Sequence, residues 1–333
     1  MENTMRELVS IIVPCYNEEA AIPIFYEELT GVINEMHDND FQILFIDDGS
    51  RDATRDAIRT LADRDERVEF LFFSRNFGKE AGMYAGLQHA RGELTVIMDV
   101  DLQDPPSLLP EMMRGIREEG YDAVATRRVN RKGEPKIRSF FARMFYRIMN
   151  RITDVELVDG ARDFRMMSRK FVNALLQYKE NNRFSKGLFG SVGFRTKWIE
   201  YENVKRVAGE TKWSFFKLVR YSIEGIVAFS TMPLMIASVI GIFMCLFSVV
   251  FIIFIIVRKI IAGDPVAGWP SLVCIISFIG GIQLFALGVI GQYLAKTYME
   301  IKDRPIYIID EERINEKPGE GNEGNNRFVE SDS

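Results

Sequence analysis

Two aspartates two positions apart, Asp99 and Asp101, follow the apolar run 94–98 and lead into a Pro-Pro turn. In an extended segment, residues i and i+2 project from the same side of the chain. Two carboxylates on one side suit Mg²⁺, which takes one or two protein carboxylates and completes its shell with substrate phosphates. The pattern predicts an enzyme that holds a diphosphate through a metal ion. A polar turn after a buried strand is the alternative.

Three more polar clusters follow apolar runs of strand length earlier in the chain, at 15–19, 47–50 and 74–79. Helical patterns come after the clusters, so strands and helices alternate. This order is typical of a parallel sheet with helices on both faces. Ligands of such sheets bind beyond the carboxyl ends of the strands. We therefore expect the clusters to meet Asp99 and Asp101 in one crevice.

The motifs at 14–19, 47–50, 99–106 and 163–169 occur in this order, followed by two long apolar runs. Together they resemble glycosyltransferase family two, and within it the polyprenyl-phosphate glycosyltransferases, which include bactoprenol glucosyltransferases and dolichol-phosphate mannose synthases. The resemblance covers residues 6–310. It implies an α/β GT-A fold, Rossmann-like with a mostly parallel sheet, plus two C-terminal transmembrane helices and interfacial amphipathic helices.

The resemblance also implies roles for individual residues. A metal ion, Mg²⁺ or Mn²⁺, is expected near Asp99, Asp101 and Gln103, with Asp101 as the direct ligand. The residues expected to hold the nucleotide sugar are Pro14, Tyr16, Glu18, Asp47, Asp48 and Asp99. Asp47 has an assisting role in this interpretation. A strand-terminal turn with a helix N-cap is the alternative for the segment 47–50.

Asp163 matches the acidic position that is often assigned as the base of the family. A lipid phosphate is already ionised near neutral pH, so it hardly needs a base. Orienting an arginine, contacting the donor sugar and capping Arg165 therefore remain alternatives for Asp163.

An ionised phosphate needs cations to position it, and arginine binds phosphate in a bidentate manner. The cations that the resemblance assigns to the acceptor phosphate are Arg127, Arg138, Arg206 and Lys212. For any one of them, a solvated or membrane-surface charge is the alternative.

The apolar runs 226–257 and 271–296 both exceed the roughly 20 residues that cross a bilayer core. Lys and Arg are in excess on their outer flanks, compared with the link 258–270, which predicts both flanks in the cytoplasm. The polar N-terminus lacks an apolar signal region. We expect a multi-pass protein of the bacterial plasma (inner) membrane, with the catalytic domain and both termini cytoplasmic. A buried hairpin of a soluble protein is the alternative.

The remaining segments complete the predicted organisation. The catalytic domain spans 1–211, and an amphipathic helix at 135–153 has apolar residues at helical spacing, with cations between them. It predicts an interfacial helix; a helix packed on the core is the alternative. A second interfacial helix is predicted at 212–225. The tail 297–333 is predicted to hold a short strand at 305–310 and to be disordered from residue 311 onward.

Composition excludes some classes of protein. The net charge of −5 argues against a generic nucleic-acid binder. The three cysteines, Cys15, Cys245 and Cys274, form neither a disulfide framework nor a zinc pattern.

The resemblance thus implies transfer of a sugar from a nucleotide diphosphate sugar, UDP-glucose or UDP-N-acetylglucosamine, to polyprenyl (undecaprenyl) phosphate, and a homo-oligomer, by analogy a tetramer. A processive polysaccharide synthase is one alternative, but its Gln-x-x-Arg-Trp motif is missing from the sequence. A non-catalytic membrane scaffold is another, and the intact Asp99 and Asp101 argue against it.

Overall fold

The computed structural model describes residues 6–128, 144, 147, 150–151, 158–201, 226–227, 230–262 and 268–315. Arg138, Arg206 and Lys212 lie outside the described residues, as do the segment 212–225 and most of the segment 135–153.

A mixed sheet forms the centre of the N-terminal domain. Its strands are β1 (Glu7–Cys15), β2 (Asn39–Asp47), β3 (Val68–Phe73), β4 (Leu94–Ile97), β5 (Ala123–Arg128), β6 (Ala161–Ser168), β7 (Thr196–Tyr201) and β8 (Ile309–Arg313). In the described part of the chain these eight strands pair in the order β7-β5-β6-β4-β1-β2-β3-β8. Only β6 and β8 run antiparallel to the neighbours with which they pair in this sheet. The mostly parallel sheet confirms the predicted α/β architecture.

Helices cover both faces of this sheet, as the alternation of elements predicts. They are α1 (Ala21–Ile33), α2 (Thr54–Ala62), α3 (Lys79–His89), α4 (Leu109–Arg117), α5 (Arg169–Leu175) and α6 (Ser185–Ser191). Apolar side chains of α1, α2 and α4 pack on one face, and those of α3, α5 and α6 pack on the other. The core of the domain therefore lies in two layers, one on each side of the sheet.

Helix α3 lies very close to the sheet because small residues face the strands. A side chain at Gly86 would place its Cβ 2.2 Å from Cγ2 of Ile12 on β1. The helix begins after the short loop 74–78 that follows the carboxyl end of β3, so its first residue, Lys79, stands at the edge where the polar clusters were expected.

The strand after the apolar helices is displaced from its predicted position. It spans Ile309–Arg313 instead of 305–310, so the prediction of disorder from residue 311 is wrong for residues 311–313. The polar composition of this segment indicates disorder, but residues from elsewhere in the chain pair with it and stabilise the strand. This strand pairs with β3, and the Glu311 carboxylate accepts hydrogen bonds from Arg59 of α2, one of them 3.0 Å from Nε.

Among the described residues, two helices are long and apolar enough to cross a membrane, α7 (Met232–Ala262) and α8 (Trp269–Ile301). They pack against each other, and the apolar stretch of neither helix is buried. Both differ from their predicted bounds. Helix α7 begins at Met232 because Pro233 suits a first helical turn, and it continues to Ala262 because Arg258 and Lys259 are good helix formers. Both helices therefore extend into the predicted link 258–270, and α8 passes residue 296.

Candidate active site

The loops after β1 and β2 are joined by hydrogen bonds at the carboxyl edge of the sheet. Asn17, with a φ of 53°, donates from its backbone to Ser50 Oγ over 2.9 Å, and its Oδ1 accepts from the Arg51 backbone over 2.9 Å. The Glu18 backbone donates to Thr54 Oγ1 over 2.9 Å. Of the residues predicted to hold the nucleotide sugar, Pro14, Tyr16 and Glu18 are all brought to this edge and are partly exposed.

The two aspartates that end β2 have different partners. Asp47 is fully buried and accepts hydrogen bonds from the Ser50 backbone over 3.1 Å and from Arg55 Nε over 2.8 Å. These contacts match the alternative interpretation of Asp47 as the organiser of a strand-terminal turn. Its assistance in nucleotide binding stays a prediction.

Asp48 connects this turn to the loop before α3. Its carboxylate accepts from the backbone N–H groups of Phe77 and Gly78 over 2.6 and 2.9 Å. Burial raises the pKa of Asp48 to about 6, against the lowering effect of these two hydrogen bonds. The loop that leads into Lys79 is therefore fixed to the end of β2.

Lys79 lies between two of the predicted site aspartates. Its Nζ is 2.7 and 2.9 Å from the two carboxylate oxygens of Asp99 and 2.6 Å from Oδ2 of Asp163. Burial lowers the pKa of Lys79, but the charges of Asp163 and Asp99 outweigh it and leave the pKa raised. Burial likewise raises the pKa of Asp163, and the nearby Lys79, Lys186 and Arg162 lower it below its usual range. An Asp163 that stays ionised in this way is a poor general base.

The metal prediction can be tested against the donor atoms around Asp101. This side chain is 6% exposed, and its Oδ1 accepts from the Gln103 backbone over 3.1 Å, across Leu102, whose φ is 52°. The described residues contain no group of three or more His, Cys, Asp or Glu side chains placed to hold a metal ion. A pair of carboxylates that needs substrate oxygens to complete the shell is the arrangement that Mg²⁺ favours. The donor chemistry of Asp99 and Asp101 therefore fits a metal ion bound together with a diphosphate, and their role as its ligands stays a prediction.

Beside this pair lies an ion-pair network. Arg128 Nη2 donates to Gln103 Oε1 over 2.7 Å, and Arg162 pairs with Asp104 over 3.0 Å. Tyr201 also donates to Asp104. In the structure the side-chain oxygen of Gln103 accepts a hydrogen bond from Arg128. A place for Gln103 near the metal ion stays a prediction.

Arg127, predicted at the acceptor phosphate, is not brought to this network. It pairs instead with Glu200, its neighbour on β7, and both side chains are substantially exposed. Successive residues of a strand project to opposite faces, so β5 can direct either Arg127 or Arg128 toward Gln103, and it directs Arg128.

Sequence reasoning missed several residues that the structure brings together here, namely Lys79, Asp104, Arg128 as the inward arginine, Arg162 and Tyr201. Two of them carried a signal in the sequence. Lys79 ends the polar cluster 74–79, which was expected at this edge, and Asp104 lies within the motif 99–106.

The family model for glycosyl transferase family 2 matches residues 10–176, a range that contains Lys79, Asp99 and Asp163. The chain belongs to this family. Its GT-A fold agrees with the resemblance drawn from the motifs. Membership means that the carboxyl edge described here belongs to a glycosyltransferase domain.

Relatives of this family 2 chain match it almost from end to end. It is 45% identical over 310 residues to the Bacillus subtilis (strain 168) protein named "Putative glycosyltransferase CsbB", covering 93% of both chains. It is 40% identical over 301 residues to the SfII prophage-derived bactoprenol glucosyl transferase of Shigella flexneri, covering 90% of this chain and 97% of that protein. A solved glucosyl-3-phosphoglycerate synthase of Mycobacterium tuberculosis, with Mn²⁺ and UDP-glucose, has a TM-score of 0.44 at 18% identity and covers 66% of this chain and 78% of that one.

Proposed function

We propose that this chain is a membrane glycosyltransferase that moves a sugar from a nucleotide diphosphate sugar to a polyprenyl phosphate. The observation that carries the proposal is the convergence of Asp99, Asp101 and a set of cations at one edge of a domain joined to two apolar helices. A diphosphate donor needs the first feature, and an acceptor with a long isoprenoid chain suits the second.

The contacts at the end of α8 support a site that works beside a membrane. The Glu300 carboxylate accepts from the backbone N–H groups of Asn181 over 3.0 Å and of Asn182 over 3.1 Å. A little further along, Ser185 donates to Glu80, the neighbour of Lys79. The end of an apolar helix is thus linked through one short segment to the helix that carries the site lysine.

The donor half of the reaction assigns work to the aspartates. The bond from the anomeric carbon to the β-phosphate oxygen breaks, and the nucleotide diphosphate leaves with the bonding electron pair. Asp99 and Asp101 would hold Mg²⁺ or Mn²⁺, and a bound metal supplies charge neutralisation for this leaving group. Pro14, Tyr16, Glu18 and Asp48 are proposed to contact the nucleotide; these positions follow from the family motif.

The acceptor half needs a positioned anion. An oxygen of the lipid phosphate forms the new bond to the anomeric carbon, and this oxygen is already ionised at neutral pH. Arg128 and Arg162 supply positive charge next to Gln103, and we assign the phosphate to them in preference to Arg127.

The other predicted acceptor ligands, Arg138, Arg206 and Lys212, remain in the proposal on the family motif alone. Asp163 needs no role as a base here; its contact with Lys79 is its proposed function.

The names of the relatives support the lipid acceptor, since several proteins at 40% identity are named bactoprenol glucosyl transferases. We therefore propose glucose, from UDP-glucose, as the first donor to test, with UDP-N-acetylglucosamine as the second. A homo-oligomer such as a tetramer, the bacterial plasma membrane and a role in envelope polymer or glycolipid modification are proposed on the family resemblance alone.

The test is a transfer assay with purified protein in detergent, undecaprenyl phosphate, Mg²⁺ or Mn²⁺, and a panel of radiolabelled nucleotide sugars. We expect label from one donor to enter the organic phase, and we expect the transfer to be lost on chelation and in Asp101→Ala. A matched control is Asp56→Ala, which removes an exposed carboxylate of α2. Binding of the nucleotide without any label in the organic phase, from every donor, would contradict the lipid acceptor and favour a processive synthase or a scaffold.

A further inference from the structure

The position of Lys79 has a consequence for metal binding. Its ammonium contacts both oxygens of Asp99, at 2.7 and 2.9 Å, and these are the oxygens that a metal ion would need. A divalent cation and an ammonium on the same carboxylate repel each other over a distance of a few ångströms, where Coulomb interactions are strongest. The two cations therefore compete for Asp99.

The main chain around Lys79 is held from both sides. Asp48 fixes Phe77 and Gly78, and the next residue, Glu80, accepts a hydrogen bond from the Ser185 backbone over 3.0 Å. Because its backbone is held, Lys79 can contact or release Asp99 by a change of side-chain rotamer, without movement of the main chain.

Asp163 is the second partner of the Lys79 ammonium. Its Oδ2 is 2.6 Å from Nζ, and it lies on β6, outside the carboxylate pair that fits a metal. Rotation about the terminal bonds of Lys79 can break the contacts with Asp99 and keep the contact with Asp163.

We propose that Lys79 is the resident counter-cation of Asp99, that a divalent metal displaces it onto Asp163, and that it thereby weakens metal binding until a donor diphosphate arrives. The donor brings negative charge that accommodates both cations side by side. Lys79 thus couples metal binding to donor binding. This inference rests on the proposed function only in assigning the metal to Asp99 and Asp101.

The test measures binding of Mn²⁺ alone to the purified full-length protein in detergent, by the electron paramagnetic resonance signal of free Mn²⁺. We expect Lys79→Gln to bind Mn²⁺ at least about tenfold more tightly than the wild type, since a charge-assisted contact that competes for Asp99 is gone. The matched control is Lys170→Gln, which removes an exposed lysine that pairs with Asp122 and should leave the affinity unchanged. Adding Asp101→Ala to Lys79→Gln should abolish the gain.

A second variant keeps the proposal testable if Lys79→Gln does not fold. Lys79→Arg retains the charge and can pair with Asp99 in a bidentate manner, so Mn²⁺ should bind several-fold more weakly than to the wild type. Equal or weaker binding by folded Lys79→Gln, or equal or tighter binding by Lys79→Arg, would overturn the proposal.

A donor titration adds a readout that a merely structural lysine would not change. UDP should tighten Mn²⁺ binding to the wild type by a larger factor than to Lys79→Gln; equal factors would count against the coupling. No lipid and no sugar transfer enter these measurements. A failed transfer assay and a failed metal exchange are therefore separate results.

Discussion

At the residue scale, the two arginines that end β5 show how a strand selects one of two similar side chains. Arg127 and Arg128 are both cations at the carboxyl edge, and sequence reasoning chose Arg127. The alternation of side chains along the strand pairs Arg127 with Glu200 and Arg128 with Gln103. The proposed contact with the acceptor phosphate therefore moves from Arg127 to Arg128.

This assignment predicts unequal effects of two matched substitutions. Hydrogen bonds to charged groups contribute about 1.5–3 kcal/mol, so Arg128→Gln should lower kcat/KM of sugar transfer by between about 10-fold and 100-fold. Arg127→Gln removes the same charge from an exposed ion pair and should change it by less than about threefold. Equal losses in the two variants, measured in the same transfer assay, would contradict the assignment.

Glu80 is a second residue whose environment leads to a prediction. Burial raises its pKa to about 7, against the hydrogen bonds from Ser185. A carboxyl whose pKa is higher in the folded than in the unfolded protein contributes stability below its unfolded pKa of 4.5, and that contribution is lost as the pH rises through about 7. The melting temperature of Glu80→Gln should therefore rise relative to wild type between pH 5 and pH 8.

The measurement is thermal unfolding in detergent across this pH range. The control is Glu27→Gln, which changes an exposed glutamate of α1 and should keep a constant offset from the wild type. An offset of Glu80→Gln that does not depend on pH would show that Glu80 titrates normally.

At the scale of elements, β8 closes the edge of the sheet that β3 would otherwise expose. It pairs antiparallel with β3, and Tyr307 just before it stacks on Phe73 with ring centroids 5.0 Å apart. Asp310 accepts from Arg55 over 3.0 Å, and the same arginine holds the buried Asp47. A polar strand after the apolar helices thus supports the turn that ends β2.

Two truncations test this role of β8. A chain ending at Asn315 keeps the strand and should melt like the full chain, whereas a chain ending at Ile308 removes it. The shorter chain should melt at least about 5 °C lower because it loses a strand ladder and the ion pairs to α2. Equal melting temperatures for the two truncated chains would show that β8 contributes little to the domain.

At the scale of the whole molecule, the sheet itself constrains the proposed topology. Strands β1–β7 precede α7, and β8 follows α8, yet all belong to one sheet in the described part of the chain. If the two helices cross a membrane as proposed, polypeptide on either side of the helix pair has to lie on the same side of it. The charge excess on the flanks independently predicts the same arrangement.

The topology is tested with single added cysteines in intact cells. A membrane-impermeant maleimide should label Gly268→Cys, between the helices, from outside. It should label Glu312→Cys, on β8, only after the cells are permeabilised. Cys15 is buried, and the wild-type chain labelled in parallel measures the background from all three native cysteines. Labelling of both positions only after permeabilisation would contradict two membrane crossings.

The sequence by itself determined the strands β1 to β4, the edge where their polar clusters meet and the two apolar helices. These features follow from short-range patterns, since apolar runs and turn residues act on their immediate neighbours. Tertiary structure alone decided that Lys79 lies between Asp99 and Asp163, which are 20 and 84 residues further along the chain. It also decided the inward arginine of β5 and the pairing of β8 with β3. Each of these depends on strand order and register, which arise from packing between distant segments and leave no local pattern in the sequence.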